Sequence, residues 1–327
     1  MARTGAGLAA ALLAACLPGA TAAAPPGCVM AEADRAWLAE AFGHWRAAET
    51  GLLGLEAAPA PQVIALDADC TFTVHQGDLG GMKAVAHKGK VRLPDGGAVP
   101  VGPIAFAGFK GESYFVMSLP SVWRDAGVTS MVGLERFLHG VLLHEMMHVR
   151  QAEMAHGLVR TIAMRAGFGK AADLTDDLVQ EQFEGDAEYA AAWRSERDLF
   201  FAAATAPGED TVRTLAAQGL AMMRTRHARW FTGRKAAFRD LDGIFLSMEG
   251  MGQWLAYRFL LSEAGGKLPP RLALEAVRRD RRQWSQDEGL AVIMVVDRLL
   301  PGWQERAFRD PDWRADRLLA AALEEGS

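Results

Sequence analysis

The segment "VLLHEMMHVRQ", residues 141–151, constrains this chain most, because it places three ionisable groups in an apolar run. His144, Glu145 and His148 stand among leucine, methionine and valine residues, a pattern that predicts a buried helix over about residues 130–156. Burying imidazole and carboxyl groups costs free energy unless each finds a partner. We therefore expect the helix to lie centrally and its polar groups to share a specific partner.

The spacing of the two histidines favours a metal ion as that partner. Residues four apart lie on one face of a helix, so His144 and His148 can bind one zinc ion together. Glu145 lies beside them, where it can take a proton from a zinc-activated water without binding the metal. The H-E-x-x-H pattern thus predicts two ligands and a general base. The alternative is a pair of core histidines satisfied by ordinary hydrogen bonds.

A zinc hydrolase site also needs a third protein ligand. The metzincin pattern H-E-x-x-H-x-x-G-x-x-H is excluded, because Gln151 and Met154 stand where its glycine and last histidine belong. The other option is a glutamate from a following helix. In "LVQEQFEGDAEYAAAW", Glu181, Glu184 and Glu188 would form one carboxylate stripe on a helix face. A solvated acidic face is the alternative interpretation of this stripe.

The segment "FEGDAEY" resembles the N-E-G-x-A-x-Y segment of gluzincin peptidases such as the zinc aminopeptidases. "HEMMHVRQ" likewise resembles the H-E-x-x-H-V-x-Q form of several bacterial zincin-like families. The resemblance implies that Glu184 is the third zinc ligand. It also implies that Glu188 orients His144 without touching the metal.

This resemblance covers only the stretch from His144 to Tyr189 and departs from the family in several places. Phe183 replaces the usual asparagine, and a longer loop, about residues 157–174, separates the two motifs. The exopeptidase motif G-x-M-E-N is missing upstream of the H-E-x-x-H helix. The segment "SMEGMG" at 247–252 matches it only in part and lies downstream of that helix. The resemblance therefore implies the clan without implying aminopeptidase activity.

The later helix "MEGMGQWLAYRFLL" carries a polar line on an apolar background. Glu249, Gln253 and Tyr257 recur every four residues and so share one face, which suggests a second wall of the site. Peptide hydrolysis needs an oxyanion stabiliser besides zinc, and Tyr257 is a candidate for this catalytic role. The alternative is a packing helix whose tyrosine reaches a surface partner. In zincins an edge strand before the active-site helix pairs with extended substrate, and "ESYFVMSLP" is placed for that role.

Residues 1–22 have the pattern of a signal peptide, with Arg3, an apolar stretch and small residues before the cleavage site. The tetrapeptide "LAAC" ending at Cys16 resembles the bacterial lipobox, so membrane attachment through a lipidated Cys16 is an alternative to plain secretion. Either way we expect a periplasmic or secreted protein. Cys28 and Cys70 then predict one disulfide, with two buried free thiols as the alternative.

The residue patterns along the chain predict the architecture. Short alternating segments and turns fill residues 62–119, whereas helical patterns dominate from residue 121 onward. We expect an α+β, predominantly helical, zincin-like fold with a small, mostly antiparallel N-terminal sheet, the active-site helix and a helical C-terminal lobe. The predicted division is a signal peptide (1–22), an N-terminal lobe with the H-E-x-x-H helix (23–157) and a C-terminal lobe carrying the third ligand (158–327).

These patterns together predict an extracytoplasmic zinc metallopeptidase that acts on a peptide or protein substrate. The net charge of −5 and the lack of a basic stripe argue against nucleic acid as a partner. One alternative is a non-catalytic zincin-fold protein for binding or envelope assembly, with a structural metal. A metal-free helical scaffold would require both motifs to be accidental.

Overall fold

The computed structural model describes residues 27–108, 113–166, 178–278, 282–310, 312 and 314–325. The predicted signal peptide and Cys16 lie outside these ranges, as does the second half of the loop predicted over 157–174. Within the described ranges, every helix is too short or too polar to span a lipid bilayer.

The described chain is a mixed α+β fold in which helices predominate, which confirms the predicted coarse class. The strands are β1 (Gln62–Leu66), β2 (Cys70–Val74), β3 (Lys83–Ala86), β4 (Lys90–Arg92), β5 (Ala98–Pro100), β6 (Ala105–Gly108) and β7 (Tyr114–Ser118). The helices are α1 (Glu32–Ala47, extended by a π-helical turn, Ala48–Leu52), α2 (Pro120–Asp125), α3 (Leu134–Ala166), α4 (Leu178–Phe183), α5 (Ala187–Thr205), α6 (Glu209–Trp230), α7 (Phe238–Leu261, preceded by a 3-10 turn, Gly233–Lys235), α8 (Pro270–Arg278), α9 (Trp284–Leu299), α10 (Trp303–Arg309) and α11 (Ala315–Glu324).

Five strands form one sheet in the order β3-β2-β1-β7-β6, and β4 and β5 form a separate two-stranded ribbon. Only β1 and β7 pair in parallel, so the sheet is mostly antiparallel, as predicted. β1 and β7 occupy its middle and bury nearly all their residues, as expected for continuous apolar runs. The prediction of β7 as the edge strand is wrong, because β6 pairs along its outer side.

Helix α3 carries the H-E-x-x-H segment and packs against α1, α7 and β6. Its apolar residues next to the two histidines are buried, as predicted: Leu142, Leu143, Met146 and Met147. The helix continues well beyond its predicted end, and the exposed Gly157 lies within it. A glycine in a helix interior costs only about 1 kcal/mol, too little to end a helix on its own.

The helix predicted over 175–201 is interrupted between α4 and α5. Asp186 caps α5: its Oδ1 atom accepts hydrogen bonds from the backbone N–H groups of Glu188 and Tyr189, at 3.0 and 3.1 Å. Gly185, a weak helix former, precedes this cap. The break prevents the predicted carboxylate stripe from forming on one continuous helix.

Helix α7 lies between α3 and α9 and is buried over most of its length. Two glycines let α7 and α9 touch backbone to backbone. A Cβ atom on Gly250 would lie 2.4 Å from the Gly289 carbonyl oxygen, and one on Gly289 would lie 2.5 Å from the Leu246 carbonyl oxygen. This close crossing holds the middle of α7 beside the H-E-x-x-H segment.

Cys28 and Cys70 form the predicted disulfide, with their Cα atoms 5.8 Å apart. Both half-cystines are buried, and the bond ties the segment before α1 to the start of β2. They belong to a hydrophobic core that extends from the sheet through α3 to α7, α9 and α11. The sheet and the C-terminal helices therefore pack around the same central helix.

Candidate metal centre

Two imidazole rings and one carboxylate converge between α3 and α7. The Nε2 atoms of His144 and His148 are 2.8 Å apart. Glu249 places Oε2 3.2 Å from Nε2 of His144 and Oε1 3.1 Å from Nε2 of His148. All three side chains are buried, and one candidate ligand atom from each lies within 4.8 Å of the other two. The three residues thus have a geometry that can bind a metal ion.

Neighbouring residues orient both rings. Nδ1 of His148 lies 3.4 Å from Oε1 of Gln151, and an amide oxygen only accepts, so Nδ1 carries a ring proton and Nε2 is the ring atom that faces the cluster. The Gln151 amide group in turn donates to a methionine sulfur on α7 at 3.2 Å. On the other ring, a Cβ atom at Gly252 would lie 2.6 Å from Nδ1 of His144. The α7 backbone therefore limits where the His144 ring can lie.

The two imidazoles and the carboxylate are side-chain types that commonly bind transition-metal ions. Oε2 of Glu249 is buried and makes no well-formed hydrogen bond with the described residues. A buried carboxylate oxygen without a hydrogen-bond partner is costly unless a cation binds it. Two histidines and one glutamate are a ligand set that suits zinc and leaves a fourth position open.

The same groups favour positive charge at their centre. Burial opposes ionisation of Glu249, but the two imidazoles outweigh burial and hold the pKa of its carboxyl below the usual range. Burial also opposes protonation of His148, yet the Glu249 carboxylate raises the pKa of His148 to about 9. A cation between these groups, whether a proton or a metal ion, is stabilised by the same carboxylate.

The cluster lies at a cavity of about 690 Å³ between β6, α3 and α7, and Glu145 lines this cavity. Glu145 lies beside the cluster rather than within it. Burial raises the pKa of Glu145, and the electrostatic attraction of the His144 and His148 imidazoles offsets only part of that effect. The backbone N–H of Ala107, on β6, also favours its carboxylate form.

Most of the cavity wall is apolar, and its larger side chains are Phe106, Trp123, Phe137, Val141, Phe245 and Met248. Two amides form a polar part of the wall: Nε2 of Gln253 donates to Oε1 of Gln286 at 2.7 Å. Gln253 lies one turn after Glu249 on α7 and so carries an N–H donor to the cavity near the cluster.

Strand β6 presents its free edge to the cavity. The Ser118 N–H donates to the Ile104 carbonyl oxygen at 2.9 Å. Because pairing alternates along antiparallel strands, the N–H and C=O groups of Ala105 and Ala107 face away from β7. Both alanines line the cavity. An extended chain in the cavity therefore meets the backbone donor and acceptor of Ala105 and the acceptor of Ala107, whose N–H faces Glu145.

The structure does not bring Glu184 or Glu188 to the two histidines. Glu184 is exposed in the turn after α4, where its N–H donates to the Gln180 carbonyl oxygen at 2.7 Å. Glu188 is exposed in the first turn of α5 and forms an ion pair with Arg229. The "FEGDAEY" segment forms a helix end and a capped helix start, and neither carboxylate joins the cluster of His144 and His148. Glu249 takes the third place instead.

Tyr257 is not among the described residues that line the cavity. It is half-buried two turns after Glu249 and packs against the hydrophobic core, and burial raises the pKa of its hydroxyl. The polar line predicted on this helix is present, but its cavity-lining members are Glu249 and Gln253. The oxyanion role proposed for Tyr257 therefore has no geometric support.

One sequence signal could have identified Glu249 as the third member of the cluster. In "SMEGMG", a single acidic residue stands in an apolar helix just before two closely spaced glycines. Gly250 permits contact with α9, and Gly252 makes room for the His144 ring. Small residues beside a lone buried carboxylate indicate close packing against a group that balances its charge.

Comparisons of the chain with family models, with characterised proteins and with solved structures returned no match. Function is therefore inferred from the geometry of the site itself.

Proposed function

We propose that this chain is a zinc-dependent peptidase that acts outside the cytoplasm, with His144, His148 and Glu249 as zinc ligands and Glu145 as general base. The observation that carries the proposal is the convergence of two Nε2 atoms and a carboxylate beside a cavity that Glu145 also lines. A structural zinc site needs four protein ligands and no base. Three ligands, a base and adjoining open space suit hydrolysis better.

The ligand set supports the gluzincin-like interpretation in a modified form. Two histidines of an H-E-x-x-H helix and one later glutamate are retained, but α7 supplies the glutamate instead of the "FEGDAEY" segment. The helix lies behind a sheet whose free edge strand faces the cavity, which supports a zincin-like arrangement. Imidazole and carboxylate ligands in this ratio favour zinc over calcium or magnesium, which prefer oxygen ligands throughout.

The chemistry divides between the ion and the protein. A zinc ion at this position would polarise the scissile carbonyl group and lower the pKa of water. Glu145 accepts a proton from the attacking water and delivers it to the leaving amine nitrogen. Gln253 provides an N–H donor for the developing negative charge on the carbonyl oxygen. The apolar walls limit the access of bulk water, which strengthens each of these interactions.

The proposed substrate is an extended peptide segment. The outward N–H and C=O groups of Ala105 and the outward C=O group of Ala107 can pair with such a segment by strand addition. Aromatic and aliphatic walls, among them Phe137, Phe245 and Met248, favour a large apolar side chain next to the cleaved bond. The polar end at Gln253 remains available for the peptide group itself.

Two features support a location outside the cytoplasm. The Cys28–Cys70 disulfide is typical of proteins from oxidising compartments. Residues 1–22 have the signal-peptide pattern, with lipidation of Cys16 as the alternative route to the cell envelope. A periplasmic or secreted protein, free or lipid-anchored, fits both.

The test combines metal content with hydrolysis. The purified mature chain is expected to contain one zinc ion at the cluster and to cleave members of an unstructured peptide library. Glu145→Gln should retain the zinc ion of the cluster and lose hydrolysis, whereas Glu249→Gln should lose both that ion and hydrolysis. Glu184→Gln is the matched control, because it makes the same change at an exposed glutamate, and it should behave like the parent protein.

Two results would contradict the proposal. If Glu249→Gln retained full zinc content and activity while Glu184→Gln lost them, the ligand assignment would be wrong. If the zinc-loaded protein cleaved no library peptide, and Glu145→Gln changed nothing measurable, the non-catalytic binding or assembly role would be favoured instead.

A further inference from the structure

A second group of candidate ligands lies where α1 crosses α3. Glu40, His44 and His139 each contribute one candidate ligand atom, and these atoms lie within 4.8 Å of one another. None of the three lines the cavity of the first cluster. Glu40 and His44 are four residues apart on α1 and therefore share a face, while His139 comes from α3.

One imidazole of this group is already oriented. Nε2 of His139 lies 3.1 Å from the Trp37 carbonyl oxygen, which can only accept a hydrogen bond. Nε2 therefore carries the ring proton, and Nδ1 keeps its lone pair. A ring N–H bonded to a backbone carbonyl, with the opposite nitrogen available, is the arrangement that commonly orients a metal-bound histidine.

Aromatic packing holds both rings in place. The Trp37 ring stacks on His139 with centroids 4.9 Å apart and an angle of 7° between planes. His44 meets His139 edge to face at 4.8 Å and contacts Phe259 of α7 at 5.0 Å. The two imidazole rings therefore have little conformational entropy left to lose when an ion binds.

The group is open to solvent on one side only. His139 is buried, His44 is half-buried and Glu40 is exposed. Among the described residues, the ring nitrogens of His44 make no hydrogen bond. An ion could thus enter from the Glu40 side, take three protein ligands and complete its shell with solvent.

We propose that Glu40, His44 and His139 form a second metal site, which binds a divalent transition ion such as Zn²⁺, Co²⁺ or Ni²⁺ and links α1 to α3. Two imidazoles and one carboxylate select such ions over Mg²⁺ and Ca²⁺. An ion that binds only the folded arrangement stabilises it by mass action. The site is independent of the peptidase proposal, because it shares no residue with the cavity cluster.

The test counts ions and follows stability in single variants. The metal-free mature protein is titrated with Zn²⁺, and bound metal is measured by elemental analysis after removal of free ion. Visible absorption of the Co²⁺ form reports the ligand environment. Wild type is expected to bind two ions, and both His44→Gln and Glu40→Gln should bind one while keeping the cavity ion. His75→Gln and Glu32→Gln are matched controls at exposed positions, and each should keep two.

The variants at His44 and Glu40 avoid the buried His139, whose replacement could disturb folding. Zn²⁺ should raise the melting temperature of wild type further than that of His44→Gln. The inference is overturned if wild type and His44→Gln bind the same number of ions and show the same Zn²⁺-dependent melting shift. If only the ion that depends on His44 is found, the second site stands and the cavity proposal fails.

Discussion

Gly252 of α7 packs directly against the imidazole ring of His144 on α3, leaving no room for a Cβ atom between them. The contact joins the helix that carries Glu249 to the helix that carries both histidines. The spacing between these helices therefore depends on glycine at position 252, which has no side chain. The same spacing sets the distance between the Glu249 carboxylate and the two imidazole rings.

Gly252→Ala is expected to displace the His144 ring, because the added methyl group would lie 2.6 Å from Nδ1. Overpacking of this kind costs about 1–3 kcal/mol in stability. We expect zinc affinity to fall by about tenfold or more, as it does when the support of a metal ligand is disturbed. Competition with a zinc chelator measures the affinity, and urea unfolding measures the stability.

Gly157→Ala is the control on the same helix as His144, because a Cβ atom there meets open space. It should leave zinc affinity unchanged and stabilise the protein slightly, by up to about 1 kcal/mol. Equal zinc affinity in Gly252→Ala and wild type would show that the contact does not position the ring.

Ala105→Pro tests whether β6 binds substrate through its backbone, and it leaves untouched the Ala107 N–H that contacts the Glu145 carboxylate. Proline removes the outward N–H group but leaves the β6–β7 hydrogen bonds, which involve the alternate residues. We expect kcat/KM for peptides to fall strongly while zinc content stays unchanged. Ala105→Ser keeps the N–H group and should retain most activity. Comparable kinetics for the two variants would argue against strand addition at this edge.

Removal of the Cys28–Cys70 disulfide should destabilise the protein. The bond closes a loop with a sequence separation of 42, and chain-entropy estimates for such a loop give about 4 kcal/mol. Denaturant unfolding of Cys28→Ser/Cys70→Ser against the oxidised parent measures this difference. Because the bond lies away from the cavity, zinc stoichiometry should be retained. A loss of less than about 1 kcal/mol would mean that packing alone fixes the segment before α1.

A buried ionic group away from the cavity predicts a pH dependence of stability. Arg226 binds Glu196 through two hydrogen bonds of 2.9 Å and Asp242 through one of 3.1 Å, and Glu288 lies 3.7 Å away. Burial raises the pKa of the Glu288 carboxyl well above its usual value, and the Glu196 carboxylate adds to this, with Arg226 opposing. Arg226 is shared among three carboxylates, and the His227 ring, within the described ranges, bonds only to Asp242, at 2.8 Å, so the fold favours the protonated form of Glu288.

Proton linkage makes the contribution of Glu288 to the free energy of unfolding depend on pH. The Glu288 carboxyl is protonated in the folded chain and ionised in the unfolded chain above its ordinary pKa, near 4.5. Its contribution is therefore complete below that pH and declines as pH rises, by about 1.4 kcal/mol per pH unit until the folded-state pKa is reached.

Glu288→Gln cannot ionise at this position. The unfolding free energy of the variant relative to that of the wild type should therefore increase from pH 5 to pH 8. Parallel stability curves would show that Glu288 is ionised in the fold.

Part of the candidate site was predictable because it is local. A four-residue spacing places His144 and His148 on one face of any helix, and Glu145 follows from the same segment. The small antiparallel sheet, the helical remainder and the Cys28–Cys70 pairing were also predictable, from alternation, helical periodicity and the expected oxidising compartment. The break at Gly185 and Asp186 also had a sequence signal, because aspartate is a preferred N-cap residue. The resemblance of this segment to the gluzincin motif favoured a continuous helix instead.

The third member of the cluster and the strand that faces the cavity were decided by tertiary structure alone. Glu184 and Glu249 are both acidic residues on later helical segments, and helical spacing does not show which one reaches α3. Packing decides it: Gly250 brings α7 against α9, Gly252 brings it against the His144 ring, and α4 ends before Glu184. Likewise, β7 became an inner strand only because β6 paired with it. Local patterns determine which face a side chain occupies, whereas the residue opposite that face depends on contacts between distant segments.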